Sequence, residues 1–215
     1  MDAVGRAETE IVGLVLAGGR ASRFGADKLA VELAGRPVLH HALAAVAGVT
    51  GRVMVSLAHD APQPVLPDLG RPIELVRDSS GDLGPLAGLG AALEVIGPAG
   101  DHRLLVVPGD APSLQAPLLR ALLRALDDAD AAVLVDGDDW RPLPCAVRTR
   151  AAGPLVRERL AGPDRSLRGV LRTLRPSIVE EVVWRTWDPE GAWRDDIDEP
   201  ADIARAVTRA HQEAT

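Results

Sequence analysis

Apolar runs of strand length alternate with longer helix-like segments along almost the whole chain, and that alternation leaves few folds open. Strands are predicted near Ile11–Ala17, Arg52–Leu57, Ile73–Arg77, Arg103–Val107, Ala131–Val135, Pro144–Arg148 and Ile178–Val183. Runs such as Ile-Val-Gly-Leu-Val-Leu-Ala and Leu-Leu-Val-Val carry no polar alternate, as expected of strands buried on both faces of a parallel sheet. Helices are predicted near Pro37–Val46, Pro85–Val95, Ala116–Leu126, Ala151–Leu160, Ser166–Leu174 and Pro200–Gln212. Pro37, Pro85 and Pro200 sit where a first helical turn tolerates the missing N–H. This order predicts an α/β protein, a three-layer α/β/α Rossmann-like fold with a mostly parallel sheet and right-handed crossovers. Gly137-Asp138-Asp139 reads as a turn, so one antiparallel hairpin interrupts the parallel order. A length of 215 residues suits one domain spanning 1–215, with 1–10 and 213–215 as flexible ends.

Composition removes several classes of function. No apolar run reaches the roughly 20 residues of a membrane span. The most apolar stretch, Leu83 to Gly100, is broken by Gly84, Pro85, Gly88, Gly90, Glu94, Gly97 and Pro98. The first residues include Asp2, Arg6, Glu8 and Glu10, without the basic-then-apolar order of a signal peptide. The one cysteine, Cys145, makes neither an internal disulfide nor a thiolate zinc site, so the cytoplasm is the expected compartment. A net charge of −7 and only five aromatic residues (Phe24, Trp140, Trp184, Trp187 and Trp193) argue against nucleic-acid binding.

Of the 24 basic residues only Lys28 is a lysine. Lysine is a compact point charge on a flexible stem, whereas arginine is a planar fork, so a position that keeps lysine is a candidate for needing that point charge. Lys28 closes the segment Leu16-Ala17-Gly18-Gly19-Arg20-Ala21-Ser22-Arg23-Phe24-Gly25-Ala26-Asp27-Lys28, which follows the first strand directly. Paired glycines there let amide N–H groups approach an anion, and Arg20, Arg23 and Lys28 add positive charge, which suits a triphosphate. The spacing matches neither the P-loop nor the dinucleotide fingerprint. Gly88-Leu89-Gly90 falls inside a predicted helix and reads as close packing.

With these residues in view, the chain resembles the molybdenum cofactor guanylyltransferases (MobA-type) within the MobA-like NTP transferase family. Leu-Ala-Gly-Gly-x-x-x-Arg-x-Gly-x-Asp-Lys is similar to that family's first motif, and further similarities follow in order. They are Asp78 after the third strand, Gly84-Pro85-Leu86-Ala87-Gly88, Val107-Pro108-Gly109-Asp110-Ala111-Pro112, Arg141-Pro142-Leu143-Pro144-Cys145-Ala146-Val147 and Asp196-Ile197-Asp198-Glu199-Pro200-Ala201-Asp202. The chain departs from the family pattern in Ser56, where the family has asparagine, in Gly109, where it has cysteine, and in one residue inserted into its Pro-Leu-Cys-Ala-Val element within Pro142–Val147.

The resemblance implies a nucleotidyltransferase that moves GMP from GTP to the terminal phosphate of molybdopterin with Mg²⁺ and releases pyrophosphate. It implies Lys28, Asp110 and Arg23 as catalytic residues and Leu16, Ala17, Gly18, Gly19, Lys28, Ser56, Asp78 and Asp110 as the nucleotide site. Asp110 and Asp198 would hold the metal, with a helix cap as the alternative for Asp198, because Pro200 starts a helix two residues later. Contact with molybdoenzymes or cofactor-handling proteins is a further implication. Related cytidylyltransferases read Leu-Ala-Ala-Gly, so Gly18 favours guanine. Transfer of another nucleotide or to another acceptor, and a nucleotide-binding regulatory protein without turnover, are the competing readings. His40, His41, Cys145 and the tryptophans read as packing residues, and Arg165, Arg168 and Arg172 as a solvated helical face.

Overall fold

A computed structural model describes residues 10–18, 28–78, 84–197 and 199–213. The central sheet contains β1 (Ile11–Leu16), β4 (Arg52–Leu57), β5 (Ile73–Arg77), β6 (Arg103–Pro108), β7 (Ala131–Asp136), β8 (Asp139–Arg148) and β9 (Ser177–Val179). Their spatial order is β5-β4-β1-β6-β8-β7-β9. All neighbours run parallel except β8, which is antiparallel to both β6 and β7. The single reversal comes from the Gly137-Asp138 turn, where Gly137 takes a positive φ of 66°.

Successive side chains of each strand feed opposite cores. Val15 and Ala17 point to a core shared with α1 (Val38–Ala47) and α3 (Ala116–Ala125), completed by Trp184 and Trp193. Val12 and Leu14 point to the other core, shared with α2 (Pro85–Ile96), α4 (Thr149–Ala161) and α5 (Leu167–Leu174). Each fully buried Leu or Val side chain contributes about 1.5–3 kcal/mol of hydrophobic stabilisation. This is why strands without polar alternation end up inside. Gly90 meets α4, where an added Cβ would lie 2.6 Å from Leu160 Cδ1, so the glycine does serve helix packing.

Three features depart from the sequence expectations. The strand expected near Ile178–Val183 ends at Val179, and Glu181–Trp184 forms a helical turn, α6. There Trp184 turns into the core and donates its indole N–H to the Val135 carbonyl at 3.1 Å, while Val182 is left 77% exposed. A tertiary contact thus overrides the apolar run. β8 begins at Asp139 rather than Pro144, with the register against β7 shifting between Val133 and Leu134. A small hairpin, β2 (Glu32–Leu33) and β3 (Arg36–Pro37), turns through Ala34 and Gly35, both at positive φ. Its strands are too short to leave a periodic signal. Pro37 precedes α1 rather than starting it.

Cys145 is fully buried in β8, and burial pushes its thiol up to about 12. Burial thus disfavours the thiolate, which is the reactive form, and also shields the sulfur from reagents. Dithionitrobenzoate should therefore leave the native protein unmodified at pH 8 and react stoichiometrically in denaturant. Fast reaction without denaturant would contradict the burial.

Candidate active site

Chain order reverses at β1. The next sheet strands, β4 and β5, lie on one side of it and β6 lies on the other. In an open α/β sheet the crevice beyond the carboxyl ends of the strands at such a switch is where ligands bind. Three main-chain hydrogen bonds extend the ladder just past those ends. Ala17 donates to the Ser56 carbonyl at 2.8 Å, Gly109 to Leu16 at 2.9 Å and Asp78 to Leu57 at 3.1 Å. Leu16, Ala17, Ser56, Asp78 and Asp110 are thereby set along one edge. Gly109 permits the turn towards Asp110, since a Cβ there would lie 2.9 Å from the Leu16 carbonyl oxygen. Gly18 is similarly close to the loop after β4, since a Cβ there would lie 3.0 Å from the Ala58 nitrogen.

Across the switch point Lys28 Nζ donates to Asp110 Oδ2 at 2.5 Å, with the two side chains 17% and 20% exposed. An ion pair with this much solvent access is worth about 0–1 kcal/mol, so its meaning is geometric. It joins the end of the glycine loop to the end of β6. The backbone just after Lys28 is anchored by the start of α1, whose first amides lack intrahelical partners. Val38 donates to the Val31 carbonyl at 2.9 Å and Leu39 to the Leu29 carbonyl at 3.2 Å. On the other flank the Ile197 N–H donates to the Asp110 carbonyl at 2.9 Å, bringing the Asp196–Ile197 segment against β6's end.

Ser56 is buried at the tip of β4, under α2. A Cβ on Gly88 would come within 2.4 Å of its Oγ and 2.8 Å of Leu16 Cδ2, so α2 rests directly on the strand tips. Asp78, also buried, accepts the His59 N–H on Oδ1 at 3.0 Å. Beside it Arg77 donates to the carbonyls of Ala58, His59 and Ala61. Together they shape the loop following β4. Arg77 was not legible as a site-building residue, because its partners are main-chain carbonyls that leave no side-chain signature. Gly19, Arg20, Arg23 and Asp198 lie outside the described residues.

On the far side of Asp110 the end of β7 carries a second polar cluster that sequence reasoning missed. Asp136 accepts Arg141 Nε at 2.6 Å and Arg194 Nη1 at 2.9 Å. Burial acts to raise the Asp136 pKa, but the hydrogen bonds and charges of Arg194 and Arg141 outweigh it and hold the carboxyl below its ordinary range. The stability this group adds is present above the unfolded aspartate pKa of about 3.9 and is lost as pH falls through the lower folded value. Arg168, read as part of a solvated face, instead spans to the β7–β8 turn. It donates to Asp139 Oδ2 at 2.8 Å and lies 4.5 Å from the Trp140 ring centroid. His41 Nε2 hydrogen-bonds the Leu33 carbonyl at 2.9 Å and His40 Nε2 the Val65 carbonyl at 2.8 Å, both structural contacts.

The site therefore sets one ammonium and one carboxylate face to face at a parallel-sheet switch point. Comparisons with known proteins speak to the family and the fold. The model of the MobA-like NTP transferase domain matches residues 13–181. A protein from Pseudomonas syringae pv. tomato named molybdenum cofactor guanylyltransferase is 35% identical over 172 residues, covering 78% of this chain and 81% of that one. Among solved structures, molybdopterin-guanine dinucleotide biosynthesis protein A from Archaeoglobus fulgidus superposes with a TM-score of 0.72 at 20% identity, covering 94% of this chain and 100% of that one. A Mycobacterium tuberculosis protein crystallised in complex with manganese superposes with a TM-score of 0.64 at 20% identity, covering 93% and 98%. At such identities the superpositions establish the Rossmann-like fold, while the sequence match establishes kinship. The chain is a nucleotidyltransferase and belongs to the MobA-like NTP transferase family.

Proposed function

We propose that this chain transfers GMP from GTP to the terminal phosphate of molybdopterin, releasing pyrophosphate, in the cytoplasm. The observation that carries the reading is the Lys28–Asp110 pair at the switch point, where a triphosphate laid along the glycine-rich segment would bring its α-phosphate. The relative from Pseudomonas syringae, a molybdenum cofactor guanylyltransferase by name, supports guanylyl transfer to a molybdenum cofactor acceptor. For the compartment, no described helix is long and apolar enough to cross a membrane, and the only cysteine is buried and unpaired.

The acceptor phosphate is already ionised near neutral pH, so neither a protein nucleophile nor a general base is required. Catalysis then consists of alignment and charge neutralisation around phosphorus. Lys28 would supply a point charge at the α-phosphate, and Gly18, Gly19 and Arg23 would bind the triphosphate. Ala17, Ser56 and Asp78 border the base and ribose. The donor set at Asp110 fits Mg²⁺: a partly exposed carboxylate oxygen, with the Ile197 bond leading directly into Asp198. Asp110 and Asp198 would hold the ion. Oxygen-ligated Mg²⁺ commonly uses one or two carboxylates together with substrate phosphates, and when bound it draws off phosphate charge. Proteins that deliver the acceptor or take the product are the partners this reading implies.

Pyrophosphate release with Mg²⁺ and GTP or CTP, each with and without molybdopterin, tests the reading. GTP with molybdopterin should be the productive pair. A preference for CTP would replace guanylyl by cytidylyl transfer, and no release with any pair would favour a nucleotide-binding protein without turnover. Gly18 offers a sharper probe of the base. A methyl there presses on the Ala58 nitrogen at 3.0 Å, so the loop after β4 must move by a few tenths of an ångström. Gly18→Ala should lower kcat/KM for GTP about tenfold relative to CTP, the usual scale for one misplaced methyl group. An unchanged GTP/CTP ratio would separate Gly18 from base selection.

A further inference from the structure

We propose that Ile197 is a positioning residue: a small hydrophobic clasp built around it holds the Lys28 and Asp110 segments in register for turnover. The proposal rests on the nucleotidyl-transfer reading above. The clasp consists of Leu33, Val38, Ile197 and Ala206, with Ile203 and Val207 packed against it. It is separate from the two cores that flank the sheet. Its members come from three stretches of chain: the β2–β3 hairpin just after Lys28, the first residue of α1, and the C-terminal segment with α7 (Pro200–Glu213).

Ile197 joins the two halves of the site. Its side chain is 1% exposed and sits in the cluster with Leu33 and Val38, while its own N–H donates to the Asp110 carbonyl at 2.9 Å. On the Lys28 side the same cluster is tied down by one main-chain and one side-chain bond. Val38 N–H donates to the Val31 carbonyl, and His41 Nε2 hydrogen-bonds the Leu33 carbonyl. Lys28 and Asp110 thus face each other from loops that meet again at Ile197. Ile203, Ala206 and Val207 of α7 fall at helical spacing and serve this cluster and neither main core, while Ala201 and Ala204 are exposed. The clasp's C-terminal half also lies beyond the matched family region, which ends at residue 181.

Ångström-scale displacement of reacting groups costs turnover far more than it costs stability. Removing the plug should therefore loosen the alignment of Lys28 against Asp110 while both main cores stay closed. In Ile197→Ala, kcat for pyrophosphate release should fall about 10–100-fold, with KM for the nucleotide within about threefold of wild type. Mn²⁺ affinity, read by the electron paramagnetic resonance of free Mn²⁺, should weaken about tenfold through the shifted Asp110 segment. Ile197→Val keeps most of the packing and should recover kcat to within about threefold, since an Ile-to-Val change is a small core deletion. Leu33→Ala should reproduce the loss from the other side, and the double variant should fall short of the product of the singles because the residues share one cluster.

A folded Ile197→Ala with wild-type kcat and Mn²⁺ affinity would overturn the clasp, as would losses in all variants that merely track the unfolded fraction in thermal melts. Should Ile197→Ala not fold, Ile197→Val and Leu33→Ala decide the matter by the same readouts. Absence of pyrophosphate release from wild type with every nucleotide and acceptor would sink the transfer reading alone. Mn²⁺ affinity would then still decide the clasp.

Discussion

Replacing Lys28 with alanine is expected to lower turnover by about 10²–10³-fold while the protein stays folded, the usual cost of removing one preorganised electrostatic contact. The fold should survive because Lys28 belongs to neither core and its pair with Asp110, about one-fifth exposed on each side, contributes about 0–1 kcal/mol. A melting temperature near wild type combined with lost pyrophosphate release is the expected outcome. Lys28→Arg should remain about tenfold or more below wild type, because a planar guanidinium does not reproduce a compact ammonium at 2.5 Å from a carboxylate. Near-normal turnover in Lys28→Ala would remove the residue from the mechanism.

Neutralising Asp110 without changing its shape should be equally severe. Asp110→Asn keeps the volume and the main-chain bond from Ile197, so the clasp stays closed. It removes the charge that faces Lys28 and, on the proposed reading, half of the metal's protein ligands. The expected result is a fall of about 10²–10³ in kcat with a higher Mg²⁺ requirement. The two changes should not multiply. Lys28 and Asp110 are in contact across the switch point and act as one unit, so the double variant should be about as slow as the worse single one. A multiplicative loss in that cycle would show two independent contributions instead of a coupled pair.

Several residues explain how far the sequence could be read. Ile11–Leu16 and Leu104–Val107 were legible as buried parallel strands because continuous apolar runs have no other place in a soluble α/β sheet. Val182 and Val183 read the same way and misled, because the deciding event was Trp184 reaching the Val135 carbonyl from a distant strand. The β2–β3 hairpin escaped notice since two-residue strands carry no periodicity, yet its Leu33 helps close the small cluster beside the site. Asp136, Arg141 and Arg194 were invisible as a group because Arg194 reaches the end of β7 from 58 residues away.

From the order of residues alone came the layered α/β architecture, the glycine-rich segment ending in the only lysine, and Asp110 at the end of an apolar strand. These follow from local chemistry: hydrophobic period, glycine spacing and charge. Tertiary structure decided that Lys28 and Asp110, 82 residues apart, meet at 2.5 Å. It also decided that Gly88 seats α2 on Ser56, and that Ile197 ties the C-terminal segment to the Asp110 carbonyl. Such contacts depend on the insertion of β1 between β4 and β6, and no local pattern encodes which strand tips will stand side by side.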